Sequence, residues 1–221
     1  LKNIPEIAVF EFVEVSKSKS VDENGSVKEL NYIEDEEKLL SDEECTTIGW
    51  FNFNSYYWTG NQSTEWAEVK NWARRPNGNG KFAEAPSKDS STLKVYILQT
   101  ALNSLIENDE LITINLLENP EGKSVELNKG AEIQTIKNAG QIATQESVNV
   151  TTFENTGTIF VNAGILTIEN YVPTSDKINI KEGGTLKITK AEETTISDLT
   201  FEKTDSSTEA FASLLGNISV T

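Results

Sequence analysis

The chain has 221 residues and a formal charge of −16, with one cysteine, no histidine and no methionine. This length and apolar content suffice for a real core, so global disorder is excluded. Acidity argues against nucleic acid, whose phosphates need Lys and Arg, and against an anionic membrane surface. The lack of histidine removes His-based triads, His zinc sites and a His general base.

Residues 1–45 form a strongly acidic first zone. Residues 7–15 mix β-branched, aromatic and charged side chains in a strand-like alternation. Asp22-Glu23-Asn24-Gly25 reads as a turn and 26–32 as the returning strand, predicting a small N-terminal β-hairpin over 6–33. The carboxylates of 34–44 do not follow the order of an EF-hand loop, so this run reads as a solvated linker or short helix rather than a metal site. Cys45 beside Glu43 and Glu44 is expected to stay a thiol and take no nucleophilic role. With no methionine, Leu1 is expected to follow a removed segment such as a signal peptide. No stretch is long and apolar enough to insert in a membrane.

Residues 46–92 hold all four tryptophans, Trp50, Trp58, Trp66 and Trp72, with Tyr56 and Tyr57 among them. Two readings are open. Trp58, Trp66, Trp72 and Tyr57 could form a flat platform for sugar rings, with Asn61, Gln62 and Glu65 hydrogen-bonding at its edge. Alternatively the indoles pack as a cap on the structure that follows, their N–H groups satisfied by neighbouring polar groups.

Residues 93–221 carry the repeats. Asn128-Lys129-Gly130, Asn138-Ala139-Gly140, Asn155-Thr156-Gly157, Asn162-Ala163-Gly164 and Glu182-Gly183-Gly184 each precede β-branched or aliphatic residues. Asn and Gly tolerate positive φ, so each phrase predicts a turn that redirects the chain into a new strand. Strands are expected at 94–98, 111–116, 124–127, 131–136, 148–153, 158–161, 165–169, 177–180, 185–189 and 195–201, with weak helical character only at 100–108. Gly140, Gly164 and Gly184 suggest a coil of roughly 20 or more residues, hence about five coils. The fold expected is all-β: a right-handed parallel β-solenoid with an aromatic-rich cap and the small N-terminal β element. Its core should contain Ile133, Ile142, Ile159, Leu166, Ile168, Ile178, Leu186 and Ile188. The last residues, 206–221, should fold over the open end or add a final strand.

Tyr57-Trp58-Thr59-Gly60, then Thr64-Glu65-Trp66, then Asn71-Trp72, resembles a motif of large Gram-negative surface proteins with β-helical, adhesin-like regions. In that family the pattern is Trp-Thr-Gly, Thr-Asp-Trp and Asn-Trp, followed by a Pro-Thr or Pro-Ser and a Val-x-Ile strand. Pro86-Ser87 and Val95-Tyr96-Ile97 supply those parts here, with Glu65 in place of Asp and a longer insert at 73–85. The resemblance covers 56–190. It implies an extracellular or outer-surface protein that binds a glycan or an extracellular protein, or acts as a spacer, with no catalytic residue to carry over and no cofactor. The enzymatic alternative is a β-helical polysaccharide lyase or glycoside hydrolase. It would need two opposed carboxylates, or a Lys or Arg base beside bound Ca²⁺. Arg74 and Arg75 lie in the loop after the tryptophan motif, and the repeat lysines look scattered.

Overall fold

Alternation of aliphatic and polar residues is the local rule from residue 93 onward, and it builds strands whose alternate side chains meet in one interior. A computed structural model describes residues 18–21, 27–30, 54–80, 82, 84–107, 110–173, 177–203 and 211–221. The chain divides into two units, 1–53 and 54–221.

In the first unit, β1 (Ser18–Val21) pairs antiparallel with β2 (Val27–Leu30), Ser18 opposite Leu30 and Val21 opposite Val27. The returning strand falls where the turn signal places it. Its partner is 18–21; the strand expected at 7–15, the acidic run 34–44, Cys45 and Trp50 lie outside the described residues.

The second unit begins with β3 (Ser55–Trp58) and β4 (Trp72–Ala73), followed by β5 (Asp89–Ile97) and β6 (Leu105–Glu107). Short and long strands then alternate: β7 (Ile112–Asn119), β8 (Ser124–Leu127), β9 (Ala131–Asn138), β10 (Gln141–Thr144), β11 (Val148–Asn155), β12 (Thr158–Val161) and β13 (Gly164–Pro173). The later elements are β14 (Lys177–Lys181), β15 (Gly184–Ile188), β16 (Thr194–Ile196), β17 (Leu199–Glu202), β18 (Ser213–Leu215) and β19 (Ile218–Val220). The short strands stack in the order β17-β14-β12-β10-β8-β6 and the long ones in the order β18-β15-β13-β11-β9-β7-β5-β3-β4. Pairing within both sheets is parallel, except that β4 runs antiparallel to β3. This is a parallel β-solenoid of about five coils.

The expected core is confirmed: Ile142, Ile159, Leu166, Ile168, Ile178 and Leu186 are fully buried, and Ile133 and Ile188 nearly so. Register stacks like on like, with Ile142 beside Ile159 and Ile159 beside Ile178. Each long strand also bends. In β9, Ile133 and Ile136 point inward while Gln134 and Thr135 between them do not, and pairing with β11 passes from Ile133–Val150 to Thr135–Thr152.

Three expectations are corrected. Among the described residues of the span expected to be helical, 100–107, none is: Leu105–Glu107 is a strand of the short sheet, its Leu105 and Glu107 inward. The span 195–201 is two strands in different sheets, β16 and β17. Coil length is 17 residues between Asn138 and Asn155, growing later as Leu166 registers with Leu186. Gly140 and Gly164 therefore do not mark one turn. They lie at different corners, one before β10 and one opening β13, and Gly157 is the successor of Gly140.

Gly140 and Gly157 also serve by size rather than by φ. A Cβ on Gly157 would sit 2.1 Å from the Gly140 carbonyl oxygen, and one on Gly140 would sit 2.2 Å from that of Lys123. Coils at this corner touch backbone to backbone, which only glycine permits. Gly164, at φ +68°, is the corner where positive φ is required.

Candidate functional site

The tryptophan motif closes the N-terminal end of the coils. Trp58 ends β3 on the inward face, in register with Ile97, and Trp72 opens β4 opposite Trp58. Trp58, Trp66 and Trp72 are each no more than 3% exposed. Trp72 meets the other two edge to face, with ring centroids 4.9 Å apart in both pairs. Each of these three indole N–H groups donates to a backbone carbonyl: Trp58 to Asn103 at 2.9 Å, Trp66 to Pro86 at 2.9 Å and Trp72 to Trp66 at 2.7 Å. The sugar-platform reading of these three residues is thereby corrected. Their faces are spent on one another and on the core, which is the packing alternative.

Asn71 holds the motif together, a role the sequence reading did not assign although the Asn-Trp pair was its signal. The residue is fully buried. Its Oδ1 accepts from the backbone N–H of Gln62 at 2.8 Å and of Ser63 at 3.0 Å, and its Nδ2 donates to Ser63 Oγ at 3.1 Å and the Glu65 carbonyl at 3.0 Å. Its own carbonyl accepts from Thr59 N at 2.7 Å and Thr59 Oγ1 at 2.9 Å. Gly60 lies at φ +57°, where a Cβ would meet Asn103 backbone atoms at 2.6 and 2.7 Å. The Asn103 side chain in turn donates to the Gly60 carbonyl. Trp-Thr-Gly and Asn-Trp are thus two halves of one fastening, clasped onto the segment that precedes β6.

Asn61, Gln62 and Glu65 share the loop around Asn71 with their side chains exposed. Glu65 also makes a parallel bridge to Ile106. Tyr57 faces outward instead, half-buried and stacked on Tyr96 with centroids 5.2 Å apart. The structure brings Asn61, Gln62 and Glu65 into one loop, but Trp58, Trp66 and Trp72 leave no exposed face beside them and Tyr57 is stacked on Tyr96. Burial pushes the Tyr57 hydroxyl above its ordinary pKa of 10.0, helped by the negative charge of Glu118. Burial does the same to Tyr56; Arg74 opposes this and Glu84 adds to it. Tyr56 stacks on Phe82 at 4.2 Å, and the Arg74 guanidinium lies over that Phe82 ring at 4.8 Å.

One buried carboxylate also went unnoticed in the sequence. Glu107 occupies an inward position of β6, wholly buried, and its Oε1 lies 3.0 Å from Lys88 Nζ. Inward placement in a stack continued by Leu127 makes this ion pair part of the interior.

The faces of the coils carry the remaining chemistry. Outward residues of β7, β9, β11 and β13 line an open hollow of about 430 Å³, among them Glu132, Gln134, Asn149, Thr151, Thr167 and Glu169. Asn149 Nδ2 donates to Glu132 Oε1 at 2.7 Å. Ile133 and Val150, both buried, form its floor. A second open hollow, of about 530 Å³, runs along the glycine corner past Lys123, Gln141, Thr158, Lys177 and Asp198. Among the described residues no group of three or more Cys, Asp or Glu side chains is placed to hold a metal ion, and no helix is long and apolar enough to cross a membrane. Comparison with family models, with curated proteins and with solved structures gave no match.

Proposed function

We propose that this chain is a non-catalytic, adhesin-like module of a bacterial outer surface that binds a glycan or an extracellular protein along its coils. The observation that carries this reading is the hollow on the long sheet. Amide, hydroxyl and carboxylate groups repeat there from coil to coil on a rigid floor, at the strand spacing of about 4.8 Å. Such a surface suits an extended partner with a repeating pattern of hydrogen-bonding groups, and a solenoid presents it without having to close around it. The Trp-Thr-Gly to Asn-Trp motif supports a surface protein through its resemblance to that family. Localisation outside a Gram-negative cell rests on the same resemblance. With the three indoles packed inside, the contact surface is assigned to the coil faces and not to the cap.

The enzymatic reading has one carboxylate pair to draw on. Glu132 on β9 and Glu169 on β13 line the same hollow, two rungs apart and, since Glu132 aligns through Asn149 with Thr167, two residues apart along the strand. That is a backbone separation of roughly 12 Å by strand geometry, wider than the about 6.5–9.5 Å between the carboxyl groups of inverting glycosidases. One experiment separates the two readings. The purified chain is screened on a glycan array and a panel of matrix proteins, and its glycan hits are incubated to assay for new reducing ends. Binding without turnover, weakened about tenfold or more by Gln134→Ala with Asn149→Ala, agrees with the proposal. Turnover abolished by Glu132→Gln overturns it in favour of a hydrolase.

A further inference from the structure

Asparagine is among the chemically labile side chains. It is most labile before glycine, whose missing Cβ leaves the following backbone nitrogen unshielded. The chain has three such pairs, Asn24-Gly25, Asn77-Gly78 and Asn79-Gly80. The first lies outside the described residues. The other two share the loop after β4, and both asparagines are exposed. By sequence they are equivalent. By hydrogen bonding they are not. Gly78 N–H donates to the Arg75 carbonyl at 3.0 Å, and Asn77 Oδ1 accepts from Asn79 N–H at 3.0 Å. The nitrogen that would attack Asn77 is therefore engaged, and the side-chain amide it would attack is held to a different nitrogen. At the second pair, the Gly80 N–H and the Asn79 side chain have no hydrogen-bond partner among the described residues.

We infer that Asn79 is a self-modifying residue, and that its conversion loosens the loop 74–80. Gly80 N gives up its proton to hydroxide and attacks Asn79 Cγ. A C–N bond forms, ammonia leaves, and the product is a cyclic imide. Water opens that ring at either carbonyl. One opening gives aspartate; the other gives isoaspartate, with the backbone rerouted through the side chain. Water is the only co-reactant, and nothing is oxidised or reduced. Either product places a new carboxylate in the loop that carries Arg74 and Arg75, the only arginines of the chain. The isoaspartyl form also lengthens the backbone by one carbon between residues 79 and 80. The carbonyls of Asn79 and Gly80 hold Arg75 N–H at 3.1 Å and Arg74 N–H at 3.3 Å. Those two bonds tie the loop back to the end of β4, and the added carbon puts them out of step.

The test incubates the full chain at mildly alkaline pH and maps its peptides over time, with fragmentation that separates isoaspartate from aspartate. A synthetic peptide of 72–84 is the unstructured reference, in which Asn77 and Asn79 both precede glycine freely. Relative to that peptide, Asn79 of the folded chain should convert about tenfold or more faster than Asn77, whose hydrogen bonds must first open. In urea this preference should vanish. The isoaspartyl form, isolated by chromatography, should exchange the Arg74 and Arg75 amide hydrogens faster than the parent, with 131–171 unchanged. Asn79→Ser, which has no side-chain amide, should keep the parent's exchange however long it is incubated. Equal relative rates at the two asparagines in the folded chain overturn the inference. So does faster conversion at Asn77, or an Asn79 still intact when the peptide is spent. Unaltered exchange at Arg74 and Arg75 in the isoaspartyl form overturns the loosening.

Discussion

The side-chain amide of Asn138 donates to Oδ1 of Asn155 at 2.8 Å, one coil above it, with both residues buried. Asn119 donates to Asn138 in the same way at 2.9 Å, and Asn155 Nδ2 lies 3.4 Å from the Tyr171 hydroxyl, so the ladder crosses four coils. Each Nδ2 also reaches a backbone carbonyl at the corner: Gln141 for Asn119, Thr158 for Asn138 and Gly157 for Asn155. The ladder is buried along its amide-to-amide bonds, and its second N–H groups reach partly buried carbonyls where the corner enters β10 and β12. It begins at Asn119, whose buried Oδ1 has no hydrogen-bond partner.

Interrupting the middle of this ladder should cost more than trimming its end. Asn138→Ala leaves Asn155 Oδ1 without its donor and one N–H of Asn119 Nδ2 without its acceptor, the other keeping the Gln141 carbonyl. Two orphaned buried groups correspond to roughly 2–6 kcal/mol of lost stability. Asn119→Leu takes the donor from Asn138 Oδ1 and from the Gln141 carbonyl, which lies at a partly exposed corner, and should cost less. Urea unfolding monitored by far-ultraviolet circular dichroism measures both; equal losses would show that the ladder does not act as a chain.

Asn71→Ala tests whether the tryptophan motif is a fastening. The change leaves the backbone N–H groups of Gln62 and Ser63 without their acceptor, at about 1–3 kcal/mol for each group that stays dry. Released from Asn71, the loop should hydrate Trp66 and Trp72. Tryptophan emission should then shift to the red below the main unfolding transition, while the coils keep their far-ultraviolet signal. A single coincident transition in the variant would contradict this.

Alkaline pH should weaken the same region. The folded pKa values of Tyr56 and Tyr57 are raised above the ordinary 10.0, chiefly by burial. A raised pKa means that folding favours the protonated phenol. The stabilisation is therefore fully present below pH 10.0 and is lost as pH rises through the folded values. Unfolding free energy should fall with pH above 10.0, and Tyr56→Phe with Tyr57→Phe should flatten that fall. An unchanged slope in the double variant would place the titrating groups elsewhere.

Much of the fold was legible in the sequence because its rules are local. Alternation along a strand places Ile142, Ile159 and Leu166 inside, and the recurrence of turn phrases announces coils, whatever the rest of the chain does. The turn signal at Asp22–Gly25 likewise precedes the observed strand Val27–Leu30. What the turns are for was not legible. Asn138 and Asn155 read as residues tolerant of positive φ, yet they act as a buried ladder, and Gly140 and Gly157 are there because backbone touches backbone. Neither fact exists within one coil; both arise when a second coil is laid against the first. Coil length was misjudged for the same reason, since two corners bear similar Asn-x-Gly phrases and only register distinguishes them.

The division is sharpest at the tryptophans. Composition determined that 46–92 would be an aromatic-rich zone, because bulky aromatic groups at spacings of eight and six residues must either pack together or face a ligand. Tertiary structure decided between the two. Trp58 is drawn inward by its register with Ile97, and the indole N–H groups of Trp58 and Trp66 find carbonyls of distant segments, at Asn103 and Pro86, while that of Trp72 reaches back six residues to Trp66. Burial of an indole depends on whether such an acceptor waits at the right place in the folded chain, and for Trp58 and Trp66 that partner is set by contacts far apart in sequence.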